Sequence, residues 1–71
     1  MTPIELQIKW NLSNTELAIA IRKTEETIKA YKVRKSARSH RNPPQSTILL
    51  CELLDKEWEA AGTAQIRLVA A

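Results

Sequence analysis

The chain has 71 residues, 44% of them hydrophobic and only three aromatic, with a formal net charge of +3 and a single cysteine. That length predicts one small domain over residues 1–71 with a modest core, and the lone Cys51 and lone His40 exclude an intrachain disulfide and a credible zinc site. No apolar run approaches the roughly 20 residues needed to cross a bilayer, and no leader-like segment is read at the N-terminus, so a soluble protein of the reducing cytoplasm is expected.

The first helix is predicted from Thr2-Pro3-Ile4-Glu5, a capping box with proline at the first helical position. It runs to about Trp10, with Ile4, Ile8 and either Leu6 or Trp10 facing the core. Ser13-Asn14-Thr15-Glu16 is a second capping box and opens a helix over about Asn14 to Ile21. Leu17, Ala18 and Ile21 have the spacing of its buried face. Thr24 is an acceptable cap for a third helix, and Glu25 and Glu26 in its first turn complement the helix dipole. Ile28 and Tyr31 form its inward stripe.

Residues 33–41 are polar, basic and aperiodic, and read as an extended last turn followed by a loop. Within it His40 is expected to be solvated. Asn42-Pro43-Pro44-Gln45 then places an asparagine cap, a proline and a glutamine at the start of a fourth helix. That helix ends at Ala61, before Gly62, which suits a left-handed cap. Its apolar set is Leu49, Leu50, Leu53, Leu54 and Trp58, broader than three short helices need. Cys51 lies within that set and is expected to be a buried, inert thiol. The tail 63–71 alternates loosely, which fits a short strand, with a frayed or helical tail as the alternative.

Charge is distributed unevenly along these elements. Arg22, Lys23, Lys29, Lys32, Arg34, Lys35, Arg38 and Arg41 are opposed in their window only by Glu25 and Glu26, which leaves +6. The residues before the window carry −1 and those after it carry −2. A concentrated positive field of this kind favours a polyanionic partner over a merely solvated basic loop. Three aromatic residues argue against a platform for stacking single-stranded bases. No acid/base pair, nucleophile–histidine constellation or phosphate-cradling glycine loop is present, so no enzymatic activity is expected.

Two short helices joined by a tight turn, the second opening a basic stretch, describe a helix-turn-helix. Ala18 is small where the second helix must approach, and Leu17, Ile21, Ile28 and Tyr31 are apolar where the unit needs it. The stretch from Leu12-Ser13-Asn14-Thr15-Glu16-Leu17-Ala18 through Thr24-Glu25-Glu26-Thr27-Ile28 resembles the Cro/repressor (XRE) family of DNA-binding domains. The resemblance covers about Leu12 to Tyr31 and extends more loosely to the proline-started fourth helix. Two positions depart from the family pattern. Arg22 stands where that family usually has a glycine in the turn, and Lys23 where it has an apolar residue. Without glycine the turn must hold Arg22 at an awkward dihedral or lengthen slightly.

The resemblance implies an all-α, four-to-five-helix, lambda-repressor-like domain. Its helix-turn-helix would span about 14–32, its core and dimer helix about 43–61, and its tail 63–71. It implies a sequence-specific regulator of transcription, dimeric on an inverted repeat of double-stranded DNA, acting as a repressor without cofactor, metal or small-molecule ligand. Glu25, Glu26, Lys29 and Ala30 resemble the family's base-reading positions. Asn14 and Thr15, at the start of the second helix, are placed to bond phosphate. Lys23, Thr24, Lys32, Arg34, Lys35, Arg38 and Arg41 are the further candidates for the DNA backbone. Leu54, Trp58, Ile66, Leu68 and Val69 are the dimer candidates. The competing readings are a non-catalytic interaction module, such as an antitoxin or an adaptor for an acidic protein, and an excisionase-like protein that bends DNA.

Overall fold

The computed structural model describes residues 1–66. It is all-α: α1 is Pro3–Trp10, α2 Asn14–Ile21, α3 Glu25–Lys32 and α4 Gln45–Ala61, with no strand among the described residues. The first three helices start where their caps predict. Thr2 and Ser13 form complete capping boxes with Glu5 and Glu16, and the Thr24 hydroxyl accepts from the Thr27 N–H at 3.2 Å. The three caps are eleven residues apart and each starts a helix of 8 residues.

The two joints between these helices share one geometry. Asn11 and Arg22 are left-handed, at φ 55° and 57°. Leu12 N–H donates to the Gln7 carbonyl at 2.9 Å, and Lys23 N–H donates to the Ala18 carbonyl at 2.9 Å. These six-to-one bonds, with the shorter-range bonds from Asn11 to Ile8 and from Arg22 to Ile19, make each joint a Schellman end. The turn lacking glycine is therefore closed by placing Arg22 at the strained dihedral, and it does not lengthen.

Two expectations are corrected downstream. Val33 is extended, at ψ 160°, so α3 has no extra turn. The His40 ring nitrogen Nδ1 lies 2.9 Å from the Val33 carbonyl, and Arg41 N–H donates to the Ala30 carbonyl at 3.1 Å. These bonds satisfy carbonyls at the helix end that a further turn would otherwise have needed. The fourth helix also starts later than Asn42-Pro43 predicts: its cap is Pro44, which makes no side-chain capping bond. The pyrrolidine ring of Pro44 disfavours a helical Pro43, and the Asn42 side chain is engaged by His40 at 2.9 Å. The other end is as predicted, with Gly62 left-handed at φ 80° and its N–H bonded to the Trp58 carbonyl.

Leu6, Leu12, Leu17, Ala18, Ile21, Ile28, Cys51 and Trp58 form the core. In α1 the inward positions are Pro3, Leu6, Gln7 and half-buried Trp10, so Ile8 is 75% exposed where a core residue was expected. This rotation lets Trp10 meet Trp58 edge-to-face at 5.6 Å while its indole N–H donates to Asp55 at 2.9 Å. Buried Gln7 is satisfied by donating to Asn14 Oδ1 at 2.9 Å, so a polar group in the core costs little. In α4 the inward stripe is Thr47, Cys51, Leu54 and Trp58, with Leu54 half-buried. Of the two readings of the tail, the strand does not form over 63–66, where half-buried Ala64 and Ile66 pack on the core. The rest of the alternating tail lies outside the described residues. No helix among them is long and apolar enough to cross a membrane.

Candidate nucleic-acid interface

Helices α2 and α3, with the Arg22–Lys23 joint between them, make the most extensive helix–helix contact of the fold. Ile28 is buried against the core, which fixes the rotation of α3. At about 100° per residue Glu25 falls about 60° from Ile28, Lys29 about 100°, and Glu26 and Ala30 close to opposite it. The first three are exposed and Ala30 is half-buried. Glu26 and Ala30 therefore mark the outward side of α3, with Lys29 at its edge and Glu25 turned toward α2.

Their chemical freedom differs. The Thr15 hydroxyl donates to Glu25 Oε1 at 2.7 Å, tying the start of α3 to the start of α2. Glu26 and Lys29 have no side-chain partner among the described residues. Asn14 Oδ1 accepts from both Gln7 Nε2, at 2.9 Å, and Lys32 Nζ, at 2.5 Å. Asn14 and Thr15 thus already hold the helices together through their oxygen atoms. The Asn14 amide NH₂ and the unpaired N–H groups of the first turn of α2 remain as donors. Thr24 is likewise occupied as a cap, its hydroxyl 3.0 Å from that of Thr27.

Beyond α3 the basic residues continue on an ordered loop. Arg34, Lys35, Arg38 and Arg41 are all exposed. The loop backbone is pinned by Ala37 N–H to the Arg34 carbonyl at 2.9 Å and His40 N–H to the Ala37 carbonyl at 3.1 Å. Both ring nitrogens of His40 lie 2.9 Å from oxygens, those of Val33 and Asn42. The expectation of a solvated His40 is therefore corrected: this half-buried ring staples the loop shut. The Arg-Ser-His-Arg-Asn string carried no positional signal for that role, because the contact depends on where the loop folds back.

The opposite charge collects on α4, where Glu52, Asp55, Glu57 and Glu59 outnumber Lys56; the Met1 ammonium meets Glu52 at 3.1 Å, and Lys9 of α1 meets Asp55 and Glu59. Lys9 Nζ lies 2.6 Å from Glu59 and 2.9 Å from Asp55. Hydrogen bonds to Glu59 and Asp55 hold the Lys9 ammonium above its ordinary pKa. Bonds from Lys9 and the Trp10 indole hold Asp55 below its ordinary value. Helix α3 packs on α1 and α2, and α4 packs on α1 and α2, the backbones of α3 and α4 staying apart while Tyr31 reaches Thr47 and Cys51 across the core. The basic helix-and-loop and the acidic helix are thus segregated.

Of the dimer candidates, Trp58 is corrected outright: at 1% exposure it belongs to the core. Leu54 and Ile66 are half-buried, and Leu68 and Val69 lie outside the described residues. Among the described residues, the large apolar side chains that reach solvent most are Leu53, Leu49 and Ile8. The apolar breadth of α4 was visible in the sequence. Which leucines turn outward was not, because Thr47 and Cys51 take core positions that a purely apolar stripe would have assigned to leucine. Among the described residues no group of three or more side chains is placed to hold a metal ion. Comparison with known protein families, with curated protein sequences and with solved structures yields no match to this chain.

Proposed function

We propose that the protein is a sequence-specific double-stranded DNA-binding regulator of transcription, acting as a dimeric repressor in the cytoplasm. The observation that carries this reading is the outward side of α3, which presents Glu26, Lys29 and Ala30 beside an exposed basic loop at Arg34, Lys35, Arg38 and Arg41. An exposed helix preceded by a tight turn fits the major groove. Lys29 suits guanine and Glu26 suits the amine of cytosine. The loop cations suit phosphates, whose contacts position the protein but carry no sequence information. Glu25 contributes by fixing α3 against α2. Repression follows from occupancy of a promoter, with no catalytic step.

The test is fluorescence anisotropy with the duplex upstream of the protein's own gene, at about 0.15 M salt, against scrambled competitor. Nanomolar binding that survives roughly a thousandfold excess of competitor establishes a specific regulator. Weak binding abolished by competitor leaves only the electrostatic contribution of the basic loop, and the face is then assigned to an acidic protein partner.

A further inference from the structure

Helix α4 carries more apolar surface than its own domain covers. Its core stripe is Thr47, Cys51, Leu54 and Trp58. At about 100° per residue Leu49 and Leu53 fall on the far side, and they are 50% and 62% exposed. Leu50 lies between the two sides and, with Leu54 at the edge of the core stripe, lines an open groove of about 560 Å³, whose other wall is Ile19, Ala20 and Arg22 at the end of α2. Leu49, Leu53, Leu50 and Leu54 therefore make one continuous apolar band along α4, with Glu57 at its end on the groove's rim.

We propose that this band is a twofold interface in which α4 packs antiparallel against α4 of a second copy. The inference deepens the dimeric reading above by naming its surface. Three features of the chain select this occupant. The band is self-complementary: an antiparallel axis between Cys51 and Glu52 sets Leu50 of one copy against Leu53 of the other, and Leu49 against Leu54. An isologous contact of this kind closes on itself and exposes no further apolar edge. Charge selects the direction. Glu57 lies on the same side of the helix as the band, so a parallel pairing would bring the two copies' Glu57 carboxylates together. The antiparallel pairing instead brings Glu57 level with Ser46 in the first turn of the other helix. That turn is the one helix start in this fold with neither a side-chain cap nor an acidic residue, since α1, α2 and α3 have both. A carboxylate supplied across the axis complements the Gln45 and Ser46 N–H groups and the positive end of the dipole.

Two measurements on the full chain, both without DNA, test the interface. Sedimentation equilibrium over micromolar concentrations is expected to give a monomer–dimer equilibrium. Leu53→Glu is expected to weaken it by at least about a hundredfold, because each dimer loses two buried leucines, while the helical circular dichroism of this outward position stays unchanged. In the second measurement, S46C and E57C chains are mixed under mild oxidation. The mixed S46C–E57C disulfide is expected to form faster than either homodisulfide. A chain that stays monomeric, or a L53E variant that dimerises like the parent, overturns the interface. Dominant S46C–S46C linkage overturns the antiparallel register. A monomer that still binds its operator specifically removes this interface and leaves the regulator intact, whereas a dimer without DNA specificity does the reverse.

Discussion

The Thr15 hydroxyl donates to the Glu25 carboxylate at 2.7 Å, so the first acidic residue of α3 is held by the first turn of α2. Base readout needs a carboxylate free to accept from cytosine, and of the two glutamates only Glu26 is uncommitted. Glu26→Ala is expected to relax preference at one base pair, with a discrimination loss of about 1–3 kcal/mol. Glu25→Ala and Thr15→Val are expected to leave base preference unchanged and to weaken binding to all sequences together, because the angle between α2 and α3 loosens. Binding to a panel of operator variants separates these outcomes. Relaxation at one base pair by Glu25→Ala would assign Glu25 to the bases.

Lys29 and Arg38 are both exposed and cationic, but they sit on different supports. Lys29 rides on the outward side of α3, whereas Arg38 is on the stapled loop. Lys29→Ala is expected to cost about 1–3 kcal/mol and to change base preference. Arg38→Ala is expected to weaken all duplexes alike and to make the slope of log affinity against log salt less steep by about 1 per subunit. Titrations at several salt concentrations check both, and an unchanged slope for Arg38→Ala would take the loop out of the interface.

Much of this arrangement was legible in the chain because it is local. Thr2, Ser13 and Thr24 start their helices as their side chains predict, and Gly62 ends the last one. A cap is decided within four residues, so sequence suffices. The rotation of α1 was not legible. Turning Ile8 outward while Leu6, Trp10 and Ile4 pack inward depends on Trp10 reaching both Trp58 and Asp55, each more than forty residues away. The commitments of Asn14 to Gln7 and Lys32 and of Thr15 to Glu25 were hidden for a related reason. Asn14, Thr15 and Glu25 each looked like a free ligand for DNA, and only the packing of α2 on α1 and α3 commits their oxygens. The late start of α4 was readable in principle, since Pro44 constrains Pro43, but the asparagine-proline signal upstream pointed the other way.

Arg22 sits at φ 57° in a position where a side chain is strained. A residue other than glycine held left-handed costs on the order of 1 kcal/mol. The Asn11 joint has the same geometry with a residue type that tolerates it better. Arg22→Gly is therefore expected to stabilise the fold by about 1 kcal/mol and to raise the melting temperature by about 4–8 °C. Thermal unfolding followed by circular dichroism measures this. The equivalent Asn11→Gly change is expected to gain less. A destabilised Arg22→Gly would mean that contacts of the Arg22 side chain along the α4 groove outweigh the backbone strain.

Alkaline pH tests the core directly. Burial pushes the Cys51 thiol from its ordinary 9.0 up to about 11. Between those values the unfolded chain has released a proton that the folded chain keeps, so stability falls as pH rises. The contribution is complete below pH 9 and gone above about 11, and amounts to about 2–3 kcal/mol. Tyr31, raised chiefly by its own burial, and Lys9, raised by Glu59 and Asp55, act in the same direction, so this limb is steep. Cys51→Ala is expected to cost about 1 kcal/mol at pH 7 through the small void it leaves. It should also flatten the slope between pH 9 and 11 by up to about 1.4 kcal/mol per pH unit, one proton's worth. Urea unfolding under reducing conditions at pH 7, 9 and 10.5 resolves the two effects. A Cys51→Ala slope identical to that of the parent would mean that the thiol ionises in the folded protein as it does in the unfolded chain, and that the centre of α4 is open to water.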